Sequence, residues 1–225
     1  MTDQPHGAPK NRGRPKTFNR EAALDKALEL FWRHGYEGTS LSDLVEATGA
    51  KAPTLYAEFT NKEGLFRAVV GRYTEKFSGQ RKSVLHCPES SVQQGVENYF
   101  RATAACFTDG QNPAGCFFIC TSAALSAEST GVADMLRERH LSQEHELTTF
   151  LLERQQRGEL AAGTNVHRLA TFLVCLLQGM SVSAREGATR AELEEIVTTL
   201  MQQWPTLSQL GAEVNEAVRP TQESL

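Results

Sequence analysis

The feature that most restricts this chain is the recurrence of apolar residues at helical spacing, segment after segment, with capping side chains and glycine or proline punctuation between them. Asn19 can cap a first helix whose apolar band is Ala22, Ala23, Leu24, Ala27, Leu28, Leu30 and Phe31, and Gly35 stops it. Ser40 and Asp43 form a capping box for a short second helix, with Leu41, Leu44, Val45 and Ala47 on its buried side. Gly49 then permits a tight reversal. A third helix starts near Ala52, where Pro53 is tolerated because first-turn amides have no intrahelical acceptor, and it presents Leu55, Tyr56 and Phe59. Asn61 caps a fourth, carrying Leu65, Phe66, Val69, Val70 and Tyr73.

The pattern continues beyond a break at residues 83–91, which contains Pro88. A helix through Phe107 has Val92, Val96, Tyr99, Phe100 and Thr103 as its inner side, and the run Asp109-Gly110-Gln111-Asn112-Pro113 is a turn. Residues 116–125 are nearly all small or apolar, as in a helix buried around most of its circumference. Ser129 or Thr130 opens a longer helix to about Arg157, closed by Gly158 or Gly163. Residues 165–185 form another, and Thr189 with Glu192 caps the last, which carries Leu193, Ile196, Val197, Leu200, Met201 and Trp204 before Pro205. The expectation is an all-α chain of about nine helices. It divides into a basic arm (1–18), a three-to-four-helix reader (19–82), a helical effector and dimerisation domain (83–205) and a frayed tail (206–225).

Composition removes several classes. In 225 residues with 40% hydrophobic content there is ample material for a packed core, which disfavours disordered or disulfide-stapled chains. The five cysteines are odd in number and lack C-x-x-C spacing. The start of the chain has no signal-type apolar run, and no run of about 18 apolar residues occurs, so a cytoplasmic protein with no membrane partner is expected. No phosphate-binding glycine loop, zinc-protease motif or nucleophile elbow is present; neither an enzymatic mechanism nor a cofactor is expected.

Charge is unevenly distributed. Residues 1–72 carry a net +2 and residues 73–225 a net −6, and within the first 18 residues Lys10, Arg12, Arg14 and Lys16 oppose only Asp3. Such an arm is either a solvated tail or a strand of charge that follows a nucleic-acid groove. Three short helices with a glycine reversal between the second and third have the organisation of a helix-turn-helix, in which one helix braces on the backbone and the next presents its face to the major groove. Ala52, Thr54, Tyr56 and Ala57 would supply that face, although generic three-helix domains share the pattern.

Residues 13–66 resemble the DNA-binding domain of the TetR/AcrR transcriptional regulators. The resemblance rests on an aromatic-Gly-Tyr approach to Thr39-Ser40, then Gly49, Leu55-Tyr56-x-x-Phe59 and Lys62-Glu63-x-Leu65. It implies a homodimer on a double-stranded DNA operator, most often as a repressor released by a small-molecule effector. By residue, it implies phosphate contacts from Thr39, Ser40 and Lys62, and Thr54 and Tyr56 on the recognition helix. Leu55 and Phe59 would orient that surface from the core. Lys51 stands where a small hydroxyl cap is frequent and can reach a phosphate instead; Ala52 beside it lacks a long donor. Arg12 and Arg14 match arms that enter a minor groove. A helical protein-interaction scaffold is the alternative of a different class.

For the effector, aromatic and small residues on inward faces single out Phe100, Thr103, Phe107, Phe117, Thr121, Phe172, Leu176 and Gln178, against the alternative of ordinary packing. Cys116 and Cys120, four residues apart, share a helix face. They fit buried packing, thiol sensing, or a soft metal with help from His86, Cys87, His140 or His145. The apolar residues of the last two helices, including Leu169, Leu173, Leu176, Leu177, Leu193, Ile196, Leu200 and Trp204, are more than an exposed helix pair would leave facing water, which suggests a four-helix contact between two copies.

Overall fold

The computed structural model describes residues 18–122 and 125–211. Arg12 and Arg14 lie outside the described residues. The helices are α1 (Arg20–His34), α2 (Leu41–Thr48), α3 (Ala52–Phe59), α4 (Lys62–Tyr73), α5 (Gly79–Leu85), α6 (Val92–Phe107), α7 (Phe117–Ser122), α8 (Thr130–Gln156), α9 (Val166–Arg185) and α10 (Arg190–Leu207). A π-helical stretch, Thr74–Ser78, joins α4 to α5 without interruption, so the described residues form nine continuous helical rods. The architecture is all-α, a helix-turn-helix followed by a helical domain. The rod runs through the boundary expected near residue 83 and stops at Leu85, because Ser83 lies in its helical run and the chain turns only at residues 86–91.

Caps set the starts. Asn19 accepts the Ala22 amide, Asn61 the Gly64 amide and Asn165 the Arg168 amide. Ser40 with Asp43, Ser91 with Gln94 and Thr189 with Glu192 each form a reciprocal capping box. Of the expected α1 band, Ala23, Leu24, Ala27, Leu28 and Phe31 are buried, together with Trp32, while Leu30 is half-buried and Ala22, in the first turn, is exposed. Arg72 grips Asp25 with two bonds of 2.9 and 3.2 Å, and Lys76 reaches the same carboxylate at 2.6 Å. These contacts pin α1 to the rod and hold the Asp25 carboxyl below its ordinary range, chiefly through Arg72 and against the opposing cost of burial.

The two regions share one core. Phe117, at the start of α7, is fully buried with its ring centre 6.2 Å from Trp32, 5.6 Å from Phe66 and 5.3 Å from Tyr73. Its neighbour Phe118 stands edge-on to Tyr73 at 4.9 Å. Two polar ties flank this aromatic joint. Arg185, ending α9, donates to the carbonyls of Trp32 and Arg33 at 2.8 Å each and so caps the C-terminus of α1. Glu37 accepts the Ser126 amide at 3.0 Å and the Ser129 hydroxyl at 2.6 Å, and these bonds hold its carboxyl down to about 2.

In the second region α7 is shorter than residues 116–125, and α10 continues through Pro205 in its final turn. Most of the last two helices' apolar residues face their own bundle: Leu169, Leu173, Leu177, Leu193, Leu200 and Trp204 are buried. The expected set for a copy-to-copy contact is therefore smaller. It consists of Leu176 and Ile196 with the exposed Phe172 and Val182, which lie 44% and 47% open. Between α9 and α10, Phe172, Leu176 and Ile196 border an apolar groove of about 350 Å³. Among the described residues α9 alone has the length and mean hydropathy (1.3) of a bilayer span; 44% of its 18-residue window is buried in the bundle.

Candidate nucleic-acid interface

The reader is assembled from three short segments whose ends are fixed. Gly49 closes α2 in the left-handed conformation at φ 66°, a position that glycine occupies without a side-chain clash, and its amide returns to Val45. Two residues later α3 begins. Its N-cap Lys51 is exposed and, having no acceptor atom, makes no side-chain cap bond. Leu55 and Phe59 are buried beneath α3, while Tyr56 is 46% open and Ala57 and Glu58 share its solvent side. Ala52 and Thr54 are half-buried at the edge of that face. The helix thus presents a narrow strip, and its roll is fixed from below by two apolar residues. From the side, Arg20 pairs with Glu58 at 2.8 Å and covers the Phe59 ring.

The phosphate positions divide differently from the sequence expectation. Ser40 is exposed at the start of α2; its Oγ accepts the Asp43 amide at 3.1 Å, and its side chain also bonds the Asp43 carboxylate, which lowers the pKa of that carboxyl. Thr39 is not on that surface. It is 1% exposed, donates its hydroxyl to the Gly35 carbonyl at 2.8 Å and uses its amide toward Tyr36, so it holds the α1–α2 corner from inside. Lys62 starts α4 with its ammonium 4.3 Å over the Tyr36 ring. Burial lowers its pKa while Glu37 and Asp43 act in the opposite direction. It is a pre-positioned cation at a helix N-terminus, the arrangement that suits a phosphate.

The expected effector residues do not form one site. Phe100, Thr103, Phe107, Phe117 and Thr121 are closed inside the core. Both threonine hydroxyls donate back to their own helices, Thr103 to Tyr99 and Thr121 to Phe117, each at 2.8 Å, so neither aims a polar atom into a void. Phe172 and Leu176 lie apart on the α9–α10 groove, and Gln178 is half-buried on α9. A different cavity, of about 80 Å³, lies between the α4–α5 rod, α6, α7 and α8; it is lined by Arg81, Tyr99, Phe118, Ile119, His140 and Gln143 among others. Tyr99 is on the inner side of α6 as expected and His140 was singled out only beside the cysteines, whereas Arg81 and Gln143 were missed because periodicity directs attention to apolar faces and assigns such residues to solvent.

Cys116 and Cys120 share a face of the α7 segment, Cys116 buried and Cys120 half-buried. The Tyr73 hydroxyl donates to Cys116 Sγ at 3.7 Å, and burial pushes the Cys120 thiol up. Among the described residues no group of three or more His, Cys, Asp or Glu side chains is placed to hold a metal ion.

The family models divide the chain as its geometry does. The model for bacterial regulatory proteins, tetR family, matches residues 23–69, and that for the tetracyclin repressor-like C-terminal domain matches residues 93–200. The HTH-type transcriptional repressor ComR of Escherichia coli (strain K12) is 55% identical over 206 residues, 92% of this chain and 98% of that protein. YezE of Bacillus subtilis (strain 168), an uncharacterized HTH-type transcriptional regulator, is 28% identical over 162 residues, covering 72% and 83%. A cysteine mutant of the TetR family regulator CifR, solved with 26-bp double-strand operator DNA, matches with a TM-score of 0.81 at 35% identity, covering 85% of this chain and all of that one. With a capped reader in front, a helical domain behind and a relative more than half identical along both, the chain belongs to the TetR family of DNA-binding, helix-turn-helix transcriptional regulators.

Proposed function

We propose that this chain is a dimeric repressor that holds a palindromic operator through two copies of α3 and releases it when a small molecule binds the second region. The observation that carries the reading is the strip on α3: Tyr56 open, Leu55 and Phe59 locked beneath it, and Ser40 and Lys62 at flanking helix starts. That is the division between base-reading and backbone-positioning groups which sequence-selective binding needs. The operator-bound CifR structure and the repressor name of the E. coli relative support the same reading.

Dimerisation follows from α9, which is apolar toward its own bundle and again along Phe172, Leu176 and Val182 on the outside. A second copy on the α9–α10 groove covers the outer stripe and sets two recognition helices on one side of the dimer. Half-sites about one helical turn apart, or a multiple of that, are then required. Release needs an effector that favours a dimer spacing with a poorer groove fit. The joint of Phe117, Arg185 and Glu37 supplies the mechanical link between the two regions.

The test is a gel shift on the DNA upstream of the chain's own gene, followed by selection from random duplexes, with light scattering on the free protein. A selected inverted repeat bound by a dimer is the expected result. A stable monomer on a non-repeated site, or no selected sequence at all, rejects the reading. The cysteine pair is checked separately: a Cys116→Ser/Cys120→Ser variant that responds unchanged to the effector removes thiols from the mechanism.

A further inference from the structure

The cavity beside α7 holds an arrangement of charge that packing alone does not explain. Arg81 comes into it from the rod; its Nε donates to the Phe77 carbonyl at 3.1 Å, and among the described residues no carboxylate stands within ion-pair distance of it. The one acidic side chain lining the cavity, Glu146, is already engaged by Lys82 at 2.8 Å. Arg139 lines the cavity as well, again with no acidic partner among the described residues. Three cations and one anion leave the site with an excess of positive charge.

Its neutral polar atoms are also incompletely used. His140 Nε2 is buried with no hydrogen-bond partner, and burial lowers the pKa of the ring. The Tyr99 hydroxyl accepts from Gln143 at 3.4 Å and retains its own proton for donation. A guanidinium fork, a phenol and an imidazole edge therefore line one cavity whose carboxylate, Glu146, is taken by Lys82, while Phe118 and Ile119 supply apolar wall. The volume of about 80 Å³ corresponds to on the order of six waters, which limits an occupant to a compact molecule.

We propose that this cavity binds a small organic monocarboxylate, its carboxylate on Arg81 and its apolar body against Phe118 and Ile119. The inference rests on the ligand-released reading and gives it a chemistry and a place. A planar two-oxygen anion matches the guanidinium fork, a pairing that a neutral isostere cannot reproduce. The location also suits transmission. Phe118 and Ile119 lie on α7, and their neighbour Phe117 is wedged among Trp32, Phe66 and Tyr73 of the reader. An occupant that pushes on α7 acts directly on the joint.

Binding is tested by calorimetry on the full chain without DNA, using propanoate and 2-methylpropanoate, with propanamide as the neutral control. Both acids are expected to bind, and propanamide at least about tenfold more weakly. Arg81→Gln should weaken propanoate about 10- to 100-fold. Should that variant fold poorly, Arg81→Lys keeps the charge without the fork and is expected to lose about tenfold. Failure of both acids to bind at millimolar concentration, equal binding of propanamide, or unchanged propanoate affinity in a folded Arg81 variant overturns the site. Operator release is measured separately. Propanoate that binds through Arg81 but leaves the operator complex intact supports the site and rejects release by this ligand. An effector that releases DNA without competing with bound propanoate supports release and overturns the cavity as its switch.

Discussion

The reader and the bundle behind it are built from the same element and solve opposite problems. In the reader α2 and α3 are eight residues each, and their orientation comes from caps, one reversal and a pair of buried side chains. In the bundle α8, α9 and α10 run 27, 20 and 18 residues and are held by lateral packing, so their ends matter less than their faces. A surface that reads bases must fix a short helix to within a fraction of a turn. A domain that senses a molecule must instead tolerate a void. The first shows its purpose at its ends and the second in what its interior leaves unpaired.

The largest expected effect comes from treating the two as one body. Phe117→Ala removes the ring that touches Trp32, Phe66 and Tyr73, and should cost about 3–5 kcal/mol. Thermal unfolding followed by fluorescence and by DNA binding should show both regions lost together; a reader that survives alone would make the shared core incidental. Arg154→Met addresses the bundle only. Arg154 is buried, donates to the Ser90 and Cys87 carbonyls at 2.9 and 3.2 Å and pairs with Glu159 at 2.9 Å, so about 2–3 kcal/mol of stability should go. Operator affinity per folded molecule should stay unchanged, and a loss there would mean that bundle packing tunes the reader.

Within the reader, position and specificity should separate. Lys62→Ala is expected to weaken specific and unrelated duplexes alike, by about 1 kcal/mol, and to reduce the salt slope by about 1. Thr54→Ala should alter the selected motif more than general affinity; an unchanged motif would confine reading to the other exposed positions on α3. The smallest effect concerns the Glu37 tie. Its folded pKa of about 2 lies below the ordinary 4.5, so the stability it adds is full above about pH 5 and fades as pH falls toward 2. The melting-temperature gap between the wild type and Glu37→Gln should narrow over that interval; a constant gap would show that the carboxylate charge is not what binds the two regions.

Legibility followed the same division. The Ser40–Asp43 box, the Gly49 reversal, the Asn61 cap and the buried Leu55 and Phe59 are local signals, and each appears where the sequence indicated it. Thr39 misled because a hydroxyl at a corner suits a phosphate and a buried carbonyl equally well, and only tertiary packing decides between them. In the bundle the helices were readable but their faces were not, because α9 is apolar on more than one side. Phenylalanines and threonines drew attention as pocket residues, yet they fill space and bond to their own helices. Arg81, His140 and Gln143 do line a cavity, and no periodicity rule points a charged or polar side chain inward.

The π-helical stretch between α4 and α5 bears on how such a chain can change over evolutionary time. A π turn takes up about one residue more than an α turn, so a single deletion within Thr74–Ser78 that restored regular winding would leave the faces downstream nearly in register. The same deletion inside regular α4 or α5, where each residue advances the helix by about 100°, would turn Arg81 and Lys82 away from their present neighbours. The stretch is thus the place along the rod where the chain can lose a residue while keeping both the α4 face toward α1 and the lining of the inner cavity.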